Sequence, residues 1–288
     1  MSIPIHIVAG YLGAGKTTYI NRWLARSPDL RGTLILVNDF GTLDIDAALL
    51  QTAGDQNLVT LSNGCVCCSI QDDFAGSLQR ILELKQIHRV ILEASGVGLP
   101  GRLRAQCSYP GFAPGIIQVI VDAVNHDVRL KDKYVADLVA RQVREADQLL
   151  VSKLELNPSF TLIAEAPVAD ATTCAPGDGV ARQSAASDEQ SMTAPPVSFR
   201  TLSFLPPKVD IDTLQGAFAT PPNAVARMKG VVGTTGGNCL VQWDSAVLKI
   251  ERTPLPVTGV VLIGHRDAFS KVEQYADDVK QTLGNPIS

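Results

Sequence analysis

A chain of 288 residues, 45% hydrophobic and 19% charged, has enough apolar material for a sizeable core and reads as one domain of ordinary size plus a smaller one. Its net charge of −4, with no basic stripe, argues against a nucleic-acid surface, and no segment approaches the ~20 apolar residues of a membrane span. The apolar N-terminus is not read as a signal peptide, since no basic leader precedes it and a glycine-rich run interrupts it; a cytoplasmic, thiol-reducing setting is expected.

The first predicted strand, 5–8, leads directly into Gly10-Tyr11-Leu12-Gly13-Ala14-Gly15-Lys16-Thr17, which fits GxxxxGK[ST] and is followed by a predicted helix over 17–26. Strand, glycine-rich turn and helix are the parts a phosphate cradle needs. Gly10, Gly13, Ala14 and Gly15 offer backbone N–H groups, and the helix start adds Thr18 and a positive field. Lys16 supplies a point charge for the outer phosphates, and the Thr17 hydroxyl is placed to hold Mg²⁺. A nucleoside triphosphate is the expected ligand.

Strands over 34–37 and 58–61 come next, the second running into Asn63-Gly64-Cys65-Val66-Cys67-Cys68. Adjacent thiols rarely pair with each other, and a reducing setting excludes a disulfide framework. Cys65, Cys67 and Cys68 at this spacing suit a soft or borderline cation, Zn²⁺ first, with Co²⁺ or Ni²⁺ as alternatives and a fourth position left open. Small buried apolar residues and a redox couple are the competing explanations. Cys107, Cys174 and Cys239 are scattered and read as incidental, and His6, His88, His126 and His265 as structural or solvated.

A helix over 72–84 follows, then a strand over 90–92 that ends on Glu93-Ala94-Ser95-Gly96. An acid closing an apolar strand can orient Mg²⁺ or an attacking water, and the Gly96 N–H can sense a γ-phosphate. Beyond a strand at 116–121 and a helix at 133–145, a strand at 148–151 ends on Ser152-Lys153-Leu154-Glu155. Guanine-reading proteins carry Asn-Lys-x-Asp at such a strand end. Here Ser152 and Glu155 stand in for Asn and Asp, so guanine is preferred and adenine remains open. Unbroken apolar strands alternating with helices predict an α/β fold, a P-loop NTPase type of mostly parallel sheet with helices on both faces, over 1–167. Residues 168–197, rich in Ala, Ser, Thr, Pro and Gly and without periodicity, predict a flexible linker. Strands at 199–204, 230–232, 239–243, 247–250 and 257–263, with helices at 211–218 and 268–283, predict a smaller α+β domain over 198–288.

Taken together, these motifs resemble the CobW-type family of P-loop GTPases, metal chaperones related to the nickel-insertion GTPases of urease and hydrogenase. The P-loop carries the likeness, as do Cys65-Val66-Cys67-Cys68 and Glu93-Ala94-Ser95-Gly96. Val37-Asn38-Asp39-Phe40-Gly41 is similar to the family's first switch segment, with Asp46 matching a later acid, and Arg227-Met228-Lys229-Gly230 to its C-terminal Arg-x-Lys-Gly. Asp39 and Thr42 stand where the family usually or often has Glu, and the histidine-rich stretch of many members is absent. The resemblance implies GTP as nucleotide, slow hydrolysis with Lys16, Asp39 and Glu93 as catalytic residues, and delivery of a transition metal to a metal-requiring client protein. Neither nucleic acid nor membrane is an expected partner, and homo-oligomerisation stays open. Two rival readings use the same phosphate cradle: an ATPase or small-molecule kinase, and a nucleotide-binding regulatory scaffold. Neither needs the thiol triplet.

Overall fold

The computed structural model describes residues 2–27, 29–37, 58–60 (backbone only), 78–79, 81–84, 87–181, 199–243, 247–257 and 259–284. Asp39, Asp46, Cys65, Cys67, Cys68 and most of the helix expected at 72–84 lie outside these residues; positions 78, 79 and 81–83 are helical. The described chain divides into two compact units, one running to 181 and one starting at 199.

The first unit is built on seven strands: β1 (Ile3–Ala9), β2 (Thr33–Val37), β3 (Leu58–Thr60), β4 (Arg89–Glu93), β5 (Phe112–Asp122), β6 (Gln148–Ser152) and β7 (Val168–Asp170). They lie in the order β3-β2-β4-β1-β5-β6-β7, and every described pairing is parallel. The reason is visible in the side chains. Along β2, Leu34 and Leu36 enter one core while Ile35 and Val37 enter another; Val90 and Leu92 of β4 split from Ile91 in the same way. A strand apolar on both faces needs cover on both, which parallel strands joined by helical crossovers supply. Helix α1 (Lys16–Arg26) seals one face with Tyr19, Ile20 and Trp23, and burying a side chain such as Ile20 is worth roughly 1.5–3 kcal/mol.

Two short helices escape the periodicity reading. α2 (Pro100–Gln106) starts on a proline, which suits a first helical position, and α3 (His126–Arg129) is a single turn. Arg104 of α2 pairs with Asp147, which is 2% exposed and also accepts from Ile117 N at 2.8 Å. α4 (Ala136–Arg144) falls within the helix expected at 133–145.

The linker expected from 168 begins too early. Val168–Asp170 forms β7, parallel to β6 with Leu149 opposite Val168. The next residues are fastened to the sheet by Gln118, 1% exposed, whose amide donates to Gln148 Oε1 (2.7 Å), Ala175 O (3.1 Å) and Asp178 O (3.0 Å) and accepts from Gly177 N (3.1 Å). Local composition hides this because the partners are more than fifty positions away. Residues 182–197 lie outside the described residues.

In the second unit five strands form an antiparallel sheet: β8 (Phe199–Phe204), β9 (Val225–Thr234), β10 (Gly237–Trp243), β11 (Leu248–Arg252) and β12 (Gly259–His265), in the order β11-β10-β9-β12-β8. Helices α5 (Ile211–Phe218) and α6 (Phe269–Gly284) cover it through Leu214, Phe218, Phe269, Val272, Ala276 and Val279, which meet Met228, Val232, Val241 and Leu262 in one core. Arg227-Met228-Lys229-Gly230 lies within β9, three times the length expected from 230–232, with Gly230 opposite Val260 of β12.

Candidate functional site

The turn after β1 passes through Gly10 (φ 138°), Gly13 (φ 73°) and Gly15 (φ 98°), a left-handed sequence that side-chain-bearing residues resist. At Gly10 the constraint is also steric, since a Cβ there would run into the Ile120 carbonyl of β5. Ala14 N closes the turn on Tyr11 O at 3.1 Å. Gly15 is the N-cap of α1; no side chain caps the helix and no acid occupies its first turn. A helix start without a side-chain cap or an acid is one whose terminal N–H groups and positive field suit an anion. Lys16, 6% exposed, folds back over the loop and donates to Gly10 O at 2.9 Å and Tyr11 O at 3.4 Å. Thr18 is exposed.

Glu93 ends β4 opposite Val8 of β1, one residue before the turn begins to form. Its carboxylate is 3% exposed and accepts from the Thr17 hydroxyl at 2.7 Å. Beyond it, Gly96 packs so closely on the P-loop that a Cβ would lie 2.8 Å from Leu12 N. Gln142 of α4, itself 1% exposed, donates to Gly96 O (3.2 Å) and Gly98 O (2.8 Å), fixing the segment from its other side.

On the other flank, β5 and β6 end as a pair, Asp122 opposite Ser152. The Ser152 hydroxyl lies 2.8 Å from Ala14 O and 3.3 Å from Val121 O, so it ties the end of β6 to the P-loop. Lys153 has φ 60° and its ammonium donates to Asp122 Oδ2 at 2.8 Å. Asp122 is buried; burial pushes its carboxyl up, but Lys153, Asn125 and Arg129 outweigh that and hold it below the usual carboxylate range. Arg129 stacks over the Tyr11 ring at 4.8 Å. Burial raises the Tyr11 phenol well above its ordinary value, leaving it neutral.

The structure thus brings Gly10, Gly13, Ala14, Gly15, Lys16, Thr17, Thr18, Glu93, Gly96, Ser152 and Lys153 to the carboxyl ends of neighbouring strands, where parallel sheets hold their ligands. Glu155 stands exposed on the loop beyond Lys153. Asp39, Cys65, Cys67 and Cys68 lie outside the described residues, among which no cluster of three or more His, Cys, Asp or Glu forms a metal site. Cys107 is buried and its thiol is pushed up to about 12, which keeps it protonated and inert. Residues missed by sequence reasoning are Asp122, Arg129 and Gln142. Asp122 carried a usable signal, since it closes an apolar strand as Glu93 does.

Residues 4–173 match the family model described as the CobW/HypB/UreG nucleotide-binding domain. The chain belongs to that family. The CobW/HypB/UreG match ends just past β7, in keeping with the place of that strand in the first sheet. A Sinorhizobium protein named zinc chaperone CobW is 30% identical over 183 residues, 54% of this chain and 51% of its own length. A Schizosaccharomyces pombe protein named zinc-regulated GTPase metalloprotein activator 1 is 32% identical over 173 residues, 56% of this chain and 41% of its own. The chain therefore spans about half the length of these relatives. Among solved structures, zinc-bound YjiA GTPase from Escherichia coli aligns at 17% identity with a TM-score of 0.39, covering 100% of both chains. HypB from Helicobacter pylori in complex with nickel aligns at 17% identity and TM-score 0.41, covering 58% of this chain and 77% of its own. No described helix is long and apolar enough to cross a membrane.

Proposed function

We propose that the chain is a GTP-binding and GTP-hydrolysing metallochaperone, which holds a transition metal, zinc first, on Cys65, Cys67 and Cys68 and passes it to a client protein according to nucleotide state. The observation that carries the nucleotide half is the Thr17–Glu93 contact of 2.7 Å beside an uncapped α1 and a left-handed glycine turn. Hydroxyl and carboxylate oxygens are the hard donors Mg²⁺ takes, and two neighbouring ligands of an octahedron at ~2.0–2.1 Å sit roughly 2.9 Å apart. Thr17 and Glu93 fit that ion, which when bound would neutralise charge on the phosphates. Lys16 would trade its two loop carbonyls for phosphate oxygens, and the α1 N–H groups would take others. Gly96, held by Gln142, would register a third phosphate. The names of the zinc-chaperone and zinc-regulated relatives support the metal half, as does the spacing of the three thiols.

The test is a Zn²⁺ titration of the reduced full chain loaded with GDP or with a non-hydrolysable GTP analogue, beside GTP and ATP hydrolysis with and without one equivalent of Zn²⁺. Zinc affinity should differ between the nucleotide states, and nucleotide affinity should shift with zinc by the same factor. The Cys65→Ala, Cys67→Ala, Cys68→Ala triple variant should lose stoichiometric metal and keep GTP. Equal zinc affinity in both states would defeat the coupling. Faster turnover of ATP than GTP, indifferent to the thiols, would favour a kinase or ATPase.

A further inference from the structure

One buried carboxylate at the ends of β5 and β6 gathers more partners than strand termination needs. Asp122 Oδ1 accepts from Val124 N (3.0 Å) and Asn125 N (3.3 Å); Oδ2 accepts from Asn125 Nδ2 (2.8 Å) and Lys153 Nζ (2.8 Å), with the Arg129 guanidinium 3.7 Å away. Lys153 is the one non-glycine among the described residues with positive φ, at 60°. That backbone conformation is costly for a lysine, and the ion pair with Asp122 holds the side chain that results from it. Ser152, meanwhile, lies within hydrogen-bond reach of Ala14 O and Val121 O, so its one hydroxyl proton goes to the backbone rather than to a base. Glu155 is exposed and carries one methylene more than the aspartate it replaces.

We propose that Asp122 is the positioning residue of the nucleobase subsite: by anchoring the Lys153 ammonium it fixes the lysine stem as a flat apolar platform for a purine. The proposal rests on the nucleotide reading above and adds to it the residue on which base affinity depends. A lysine stem with an unanchored head is spread over many rotamers, all of which a ligand must suppress on binding. Anchored at its far end, the stem is ordered before the base arrives.

The experiment titrates GTP, ATP and inorganic tripolyphosphate, each with Mg²⁺, into the full chain as wild type and as Asp122→Asn. The variant should bind GTP about tenfold more weakly, the size of one charge-assisted contact, and tripolyphosphate within about twofold of wild type. Unchanged GTP affinity overturns the proposal, and so does a parallel loss of GTP and tripolyphosphate, which would mark Asp122 as general scaffolding. Both outcomes leave the nucleotide reading standing. A wild type that binds none of the three ligands defeats that reading and the proposal together. If Asp122→Asn does not fold, by circular dichroism, Lys153→Met takes its place, because it keeps the stem and leaves Asp122 with Asn125 and Arg129. It should show the same selective loss of GTP, and a wild-type ratio of GTP to tripolyphosphate affinity in Lys153→Met overturns the proposal.

Discussion

A carboxylate as deeply buried as Glu93 persists only where hydrogen bonds and charge replace the water it has lost, and the Thr17 hydroxyl at 2.7 Å is one such replacement. Glu93→Gln keeps an oxygen to accept that bond and discards the negative charge. If Glu93 serves Mg²⁺, the variant should bind GTP within a few-fold of wild type, hydrolyse it about a hundredfold more slowly and need more Mg²⁺ to reach half its maximum. Single-turnover hydrolysis across a Mg²⁺ series checks this, and an unchanged rate at limiting Mg²⁺ would remove Glu93 from the metal site. The residue that the sequence exposes this clearly is one whose role is written in a contiguous run: an apolar strand, an acid, then a glycine two positions past its neighbour. Lys16 and Thr17 are legible for the same reason. Arg129 is not, because its meaning arises only when a one-turn helix folds back and places a guanidinium between a β5 carboxylate and a P-loop ring.

At the scale of elements, β1, β2, β4, β5 and β6 were legible because a strand buried on both faces needs an unbroken apolar run, and few other elements do; β7, with Val168 exposed, was not. Helices long enough to show a stripe, such as α1, α5 and α6, were legible too. α2 and α3 were not, being seven and four residues long, less than the span over which periodicity repeats. The segment after β7 failed for another reason: its order is supplied from outside. Gln118 bonds three of its backbone groups from the middle of β5, so the composition of 171–179 says nothing about its packing. Gln118→Leu should take the partner from those part-buried groups and cost about 1–3 kcal/mol. The loss should be local at first, with amides of 171–179 exchanging faster than those of β1 and with proteolytic nicking in that stretch. Hydrogen exchange read peptide by peptide checks it. Uniform acceleration across β1, β5 and β6 would mean that the segment is part of the global folding unit rather than a docked strap.

For the molecule as a whole, the described titrating groups point to loss of stability on mild acidification of the first unit. His6 accepts from Ile116 N through Nδ1 at 3.2 Å, and burial, with Arg89 adding to it, holds its pKa below the usual histidine value against the opposing Asp178. Burial does the same to His126, with Arg129 adding and Asp127 and Asp122 opposing. Both imidazoles are then neutral in the folded chain, while an unfolded histidine takes up a proton near pH ~6.5. The unfolded state binds more protons below that point, so the stability these residues confer is full above about pH 6.5 and falls as the pH drops through the folded pKa values. Asp122 acts with the same sign in a lower window: its lowered pKa gives stability that is lost only as the pH falls below the ordinary carboxylate value near ~3.9, outside the histidine window. The two tryptophans allow the units to be read apart, since Trp23 lies in the first core and Trp243 packs against the second. In a Trp243→Phe background, the Trp23 fluorescence transition should move to lower temperature between pH 7.5 and 5.5, and His6→Gln with His126→Gln should flatten most of that dependence. A transition that shifts equally with and without the two histidines would place the acid sensitivity elsewhere in the chain and show that neither imidazole is held neutral by the fold.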